Sequence, residues 1–321
     1  MKPWSGDIQQ HIDNWKAKLG NLDWWPQYVY HFTDVHNAAK IIQSGCLYSR
    51  SECTRLGIMS VDNASPEIIQ QTNREHLQYV RLYFRPRTPT QYRNEGIRPV
   101  GQRQLGAHCP VPVFFCFDAL GILAQDDTEF SNGNMGSSWA EHSSTHEFFQ
   151  SIPFQYVFHN GWLSDEEKGK VIFHRNAEVL VPERLPLFPT LKFIACRSAA
   201  ERQTLLHLLP ATVKNEWGQH IRIPGEGLFE RRWTFVQEVV VVDDSVIFRF
   251  NPNTQTPGPF RVRFSYQENG SEQVRQWEAL KPDIKGSKRI HVEGASIGVA
   301  ELYLDDALAF ADTLIFDDLP F

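Results

Sequence analysis

The chain has 321 residues, 41% of them apolar and 22% charged, with a formal net charge of −6. These values describe a folded globular protein large enough for two domains or one large one. They also argue against a protein that grips duplex DNA mainly through its phosphates, which is usually basic.

No run of 18 apolar residues is present, so no membrane span is expected. The polar start, Met1 to Lys18, lacks the apolar stretch of a signal peptide. Five scattered cysteines read as reduced thiols in a cytoplasmic protein, and no Cys/His spacing suggests a metal site. Charge is uneven along the chain. Six arginines (Arg81, Arg85, Arg87, Arg93, Arg98, Arg103) stand against one acid, Glu95. Such a stretch forms either a local electropositive surface or an ordinary solvated face.

Residues 1–27 are polar with four tryptophans, which suits a short helix and a cover over a core. Tyr28-Val-Tyr30 reads as an opening strand. His31-Phe-Thr33-Asp34 follows, and either Thr33 or Asp34 can cap a helix whose apolar positions are Val35, Ala38, Ala39, Ile41 and Ile42. Gly45 stands where a helix-ending glycine belongs. His31 and Thr33 therefore lie where backbone amides and the positive helix end favour a ribose hydroxyl, an amide or a phosphate. A capping cluster without a ligand has the same pattern.

Cys46 to Ser65 reads as a loop, and Pro66 to Gln70 as a helical turn. Tyr79 to Phe84 alternates as a strand with Val80, Leu82 and Phe84 on one face. It runs into Arg85-Pro-Arg87-Thr-Pro89-Thr-Gln-Tyr92, stiffened by two prolines. There Arg87 offers a planar fork for a pyrophosphate and Tyr92 a ring face. Pro110 to Phe117 is a strand suited to the sheet centre. Asn132-Gly133-Asn134 is turn material, and Asn134 either presents its amide to a ligand or closes the turn. Trp139 to Phe149 is expected to be helical, and 139–177 reads as a substrate loop or a second layer.

Arg175-Asn-Ala-Glu178-Val-Leu-Val-Pro182 places one acid before a short apolar run. A half-buried strand keeps such an acid at its mouth, in water or against a ligand. Lys192 to Cys196 reads as a strand and Ala199 to Leu209 as a helix, after which the pattern fades. A boundary is placed near Pro224, giving domains 1–223 and 224–321. Beyond it, short strands at 235–242, 246–250, 260–266, 274–280, 290–292 and 299–304, with a hairpin turn at Asn269-Gly270, suggest a small β-sandwich.

These stretches together resemble the DarT family of DNA ADP-ribosyltransferase toxins over roughly residues 28–210. Tyr30-His31-Phe32-Thr33 with Asn37, Ile41 and Gly45 is similar to its opening NAD-binding motif, and Tyr83-Phe-Arg-Pro-Arg87-Thr-Pro89 with Tyr92 to its arginine–proline signature. Phe130-Ser-Asn-Gly-Asn134 resembles the turn beside the nicotinamide, and Arg175 to Val181 the segment carrying the catalytic glutamate. The resemblance implies an α+β ADP-ribosyltransferase fold with a split, mixed β-core, followed here by a small all-β, sandwich-like domain. It implies NAD as co-substrate, bound by His31, Thr33, Asn37, Arg87, Tyr92 and Asn134. Glu178 would be the catalytic carboxylate, meeting the charge that builds on the ribose as nicotinamide departs. The catalytic arginine falls, by position, on Arg74. The acceptor would be a base of single-stranded DNA, with Arg85, Arg93, Tyr156, Trp162 and Arg175 as contacts and Phe158 as a further stacking ring. A macrodomain antitoxin that removes the mark would be the partner. Two other readings stay open: transfer to protein or RNA in the same cleft, and a non-catalytic two-domain binding protein.

Overall fold

The computed structural model describes residues 1–58, 74–103 and 108–316. Its first helix, α1 (Ser5–Lys18), buries Ile8 and Ile12 and leaves its charged residues outside. Strand β1 (Tyr28–Asp34) then passes directly into α2 (Val35–Ser44). The Asp34 side chain accepts from His36 N at 3.0 Å, so Asp34 and not Thr33 is the cap. Gly45 ends the helix at φ +66°, a conformation that favours glycine. The expected loop after it contains a short strand, β2 (Cys46–Tyr48), and a helix, α3 (Arg50–Leu56), capped by Ser49. The turn expected at Pro66 to Gln70 lies outside the described residues.

The remaining strands of the first half are β3 (Tyr79–Tyr83), β4 (Pro112–Asp118), β5 (Glu129–Ser131), β6 (His142–Ser143), β7 (Glu178–Pro182), β8 (Arg184–Pro186), β9 (Leu191–Cys196) and β10 (Ile221–Arg222). Eight of the ten form one sheet, in the order β10-β9-β4-β1-β3-β7-β5-β6, while β2 pairs with β8. The sheet is mixed: β10 runs parallel to β9 and the other pairs are antiparallel. Strand β4 lies between β9 and β1, the central place its apolar run predicts.

Alternation decides which face is which. Val29, Val80, Leu82, Phe115, Phe117, Val179 and Val181 are buried together in the main core, each such side chain contributing about 2 kcal/mol of burial. The opposite face carries Arg81, Tyr83 and Glu178 and, on β1 and β4, a second apolar cluster of Tyr30, Phe114 and Cys116. Strands β1 and β3 share a single pair, Tyr30↔Tyr83, and part beyond it. That seam is the split in the sheet.

The 139–149 stretch is not the predicted helix. Trp139 lies in a turn, β6 follows, and the helix spans only His146–Ser151. Gly133, packed under the Phe173 ring, and a bond between His174 and Asn132 hold this region beside β7 instead. The segment after Leu209, where the apolar pattern fades, forms a helix at Ala211–Trp217.

Seven further strands follow: β11 (Val236–Val242), β12 (Ser245–Phe250), β13 (Phe260–Glu268), β14 (Val274–Lys281), β15 (Ser287–His291), β16 (Ile297–Leu304) and β17 (Ala307–Ile315). They make a three-stranded sheet, β11-β12-β15, and a four-stranded sheet, β14-β13-β16-β17. Phe248 of the first meets Phe264 and Phe310 of the second at ring separations of 5.7 and 5.8 Å. These sheets also join the first half. Leu308 and Ala311 enter the main core, and Ala311 N donates to Thr204 Oγ1 at 3.1 Å.

Candidate active site

Glu178 opens β7, and its side chain is only 1% exposed. Its backbone N–H donates to Ser131 Oγ at 2.8 Å, which ties it to the neighbouring strand β5. The register puts Tyr83 opposite Glu178 and Arg81 opposite Leu180. Residues two apart on a strand share a face, so Arg81, Tyr83 and Glu178 crowd one side. The Arg81 guanidinium takes the carboxylate with two bonds, Nε to Oε2 and Nη2 to Oε1, the latter at 2.6 Å. Glu178 is therefore not a solvated strand end. Arg81, a third exposed, stands between it and water.

Burial disfavours the Arg81 charge, but the Glu178 carboxylate outweighs that and holds the guanidinium above its ordinary value. Burial, and then the same carboxylate, push the Tyr83 phenol up to about 12, so it stays protonated. His31 sits at the seam. Its Nδ1 faces the Arg81 carbonyl at 3.2 Å. A carbonyl only accepts, so the proton is on Nδ1 and Nε2 is left as an acceptor. Burial lowers the His31 pKa to about 4, so the ring is neutral near pH 7. Arg81, Tyr83 and Glu178 thus form one cluster, and His31, which lies on the opposite face beside Phe115, reaches it only through the Arg81 backbone carbonyl.

The other expected contacts divide. Thr33 is buried in β1, paired with Val113, and Asn37 lies on α2. Arg87 has a left-handed φ of +54°, and its Nε donates to Phe229 O at 3.3 Å. Tyr92 packs edge-on to Trp233 at 5.5 Å. The Asn134 Oδ1 accepts from Gly136 N at 3.0 Å, which closes the turn. Arg74 begins a short helical turn, and its side chain lies outside the described residues. Arg81 is the guanidinium found on Glu178. The alternation of β3 already set it on the polar face, between Val80 and Leu82, but sequence spacing could not name its partner across the ladder.

The expected DNA contacts need correcting. Arg85 is 1% exposed, and its donors go to the carbonyls of Pro86, Val157 and His159. It lies 4.4 Å from the Trp25 ring centre. It is a core residue and cannot reach a phosphate. The arginine-rich stretch is no basic stripe either. Arg81 holds Glu178, Arg87 holds Phe229 O, Arg98 lies over Trp233 and Arg103 donates to Asp305 O. Arg93 is exposed. Arg175 donates to His159 O at 2.8 Å, Tyr156 stacks on His174 at 5.7 Å, and Phe158 is buried. Trp162 is 87% exposed, and Trp139, which sequence reasoning passed over, is 82% exposed.

A family model described as DarT, ssDNA thymidine ADP-ribosyltransferase, matches residues 30–224. Among solved structures, the chain is similar to Thermus sp. 2.9 DarT in complex with ADP-ribosylated ssDNA, with a TM-score of 0.50 and 18% identity over 64% of this chain and 97% of that one. The same protein in complex with carba-NAD+ gives a TM-score of 0.46 at 18% identity over 62% and 93%, and in complex with NAD+ 0.44 at 19% over 62% and 93%. No curated protein matches the chain. The fold of the first half is that of the Thermus protein, and the match over residues 30–224 makes this chain a member of the DarT family of ssDNA thymidine ADP-ribosyltransferases.

Proposed function

We propose that this protein transfers ADP-ribose from NAD+ to thymine in single-stranded DNA, with Glu178 as the catalytic carboxylate. The observation that carries this reading is the buried Arg81–Glu178 pair at the seam of a DarT-family sheet, with a neutral His31 bonded to the Arg81 carbonyl. A carboxylate, an imidazole acceptor and a protonated phenol suit ribose hydroxyls, and they stand where the strands part. Family membership supplies the acceptor, and the NAD+ and carba-NAD+ complexes of the Thermus protein suggest the donor.

Each residue then has a task. Arg81 meets Glu178 with two bonds and fixes the plane of the carboxylate. Glu178 offers its charge to the sugar as the bond to nicotinamide breaks, and it takes the proton released when the base nitrogen bonds to the same carbon. His31 Nε2 accepts from a ribose hydroxyl, and Thr33 and Asn37 line the same approach. Arg87 faces the pyrophosphate and Tyr92 packs beside the cofactor. Asn134, in the turn after β5, borders the nicotinamide side. The group moved is a glycosyl group, so the reaction is not nucleotidyl transfer. Arg74 remains a second cationic candidate by its position in the chain. Trp162 and Trp139 offer ring faces to unpaired bases, with Arg93, Arg175 and Tyr156 along the approach.

A DNA-modifying activity of this kind suits a toxin acting in the cytoplasm and reversed by a macrodomain antitoxin. No described helix is long and apolar enough to cross a membrane. The catalytic unit is assigned to 1–223 and an accessory unit to 224–321.

The acceptor is tested by incubating the protein with labelled NAD+ and separate pools of single-stranded DNA, RNA and protein. Label is expected on oligonucleotides that contain thymidine and not on those that lack it. Label confined to protein or RNA refutes the DNA reading, and no consumption of NAD+ refutes the enzyme.

A further inference from the structure

The family match ends at residue 224, yet the next few residues lie across the arginine–proline segment. Leu228 and Phe229 are buried against Tyr30, Phe114, Cys116 and Ala195, on the face of the sheet that also carries Tyr83 and Glu178. From there the backbone bonds residue after residue to the segment Arg87–Glu95. Gln91 Nε2 donates to Leu228 O at 2.9 Å and Arg87 Nε to Phe229 O at 3.3 Å. The Glu95 carboxylate accepts from Glu230 N and Arg231 N, both at 2.9 Å. Trp233 Nε1 donates to Tyr92 O at 3.1 Å, its ring packs edge-on to that of Tyr92, and Thr234 O accepts from Ile97 N at 2.8 Å.

The anchoring is deeply set. Glu95 is fully buried, takes a further bond from Gln91 Nε2 at 2.7 Å and pairs with Arg197, which itself holds Glu201. Arg231 closes the circuit by donating from Nη2 to Arg197 O at 2.8 Å. A short helix, Pro89–Asn94, has little stability of its own. These contacts add to the bonds of Thr90 with Asn176 and of Arg98 with Tyr92 O, and they hold the left-handed Arg87 and the Tyr92 ring from the side of the sheet.

We propose that residues 228–234 are a clamp that sets Arg87 and Tyr92 for the dinucleotide, with Glu95 and Trp233 as its positioning residues. Residues 228–234, although beyond the boundary proposed at 223, thereby belong to the cofactor cradle, and the strands of the accessory region begin after them at Val236. This rests on the reading of Arg87 and Tyr92 as cofactor contacts.

The test is steady-state transfer to a thymidine oligonucleotide by the full-length protein, with NAD+ titrated. Trp233→Ala and Glu95→Gln are each expected to raise KM for NAD+ about tenfold, with kcat within about threefold, as for loss of binding common to ground and transition states. KM for the oligonucleotide stays unchanged. Arg87→Ala and Tyr92→Ala each raise KM for NAD+ by a similar factor, and adding Trp233→Ala to Tyr92→Ala raises KM no further, because Trp233 acts through Tyr92. Where Glu95→Gln fails to fold, having removed a partner of buried Arg197, Trp233→Ala carries the test alone. An unchanged KM for NAD+ in Trp233→Ala, when Arg87→Ala raises it, overturns the clamp alone. An unchanged KM in Arg87→Ala overturns the cofactor reading and the clamp with it. Additive effects, or a parallel loss of kcat and both KM values with a lowered unfolding midpoint, also overturn the clamp.

Discussion

At the scale of single residues, the account turns on a carboxylate that folding has removed from water and given one strong partner. A buried ion pair is weak evidence for stability but strong evidence of dependence, because removing one member strands the other. Arg81→Ala is therefore expected to cost about 3–5 kcal/mol in chemical denaturation, the usual penalty for an unpaired buried charge. Arg81→Met combined with Glu178→Leu should recover most of that loss and still transfer no ADP-ribose. If the double variant is as unstable as Arg81→Ala, the pair is not the source of the cost. Glu178 was legible as an acid out of place before an apolar run. Its partner was not, since position in the chain favoured Arg74 while pairing across a ladder brings in Arg81. Arg85 shows the opposite error: one exposed-looking charge in an arginine-rich stretch proves to be a buried scaffold for three carbonyls.

At the scale of elements, much of what carries local signals was legible, although the helix Arg50–Leu56, with its Ser49 cap and left-handed Gly57, was expected to be loop. The β1–α2 junction carries its own signals, a capping aspartate and a left-handed glycine, and β3, β4, β9 and β13 follow from alternation or apolar runs. The stretch after β5 was misjudged because tertiary contacts shape it. The Cβ of an alanine at 133 would lie 2.3 Å from the Phe173 ring, and that ring is next to His174, whose Nδ1 donates to Asn132 O at 2.6 Å. Gly133→Ala must therefore displace Phe173 and loosen the turn bearing Asn134, at about 1–3 kcal/mol for overpacking. Thermal unfolding should show a lowered midpoint and transfer assays a reduced rate. A variant indistinguishable from wild type in both would show that the ring moves freely and that the turn is not held from that side.

At the scale of the whole molecule, stability should depend on pH through histidines that folding keeps neutral. Burial lowers His11 and His31 to about 4 and His108 to about 3, the last also facing Arg103 and Arg98. An unfolded histidine titrates near about 6.5, so below that pH the unfolded chain binds more protons and stability falls as pH drops from about 6.5 toward 4. The unfolding midpoint should decline across that window, and His108→Gln should reduce the slope; a midpoint flat from pH 7 to 4.5 would contradict it. The β-rich character of the C-terminal part was plain from its strand spacing, but its engagement with Thr204 and Glu95 was not, because such contacts join residues more than a hundred positions apart. The most direct measurement is single-turnover transfer of label from NAD+ to a thymidine oligonucleotide by Glu178→Gln, which keeps the shape of the side chain and removes its charge. Assayed below its unfolding midpoint, which should be lowered because Arg81 loses its charged partner, the variant should be slower by at least about 10²–10³-fold, whereas a rate within about threefold of wild type would show that the chemistry lies elsewhere.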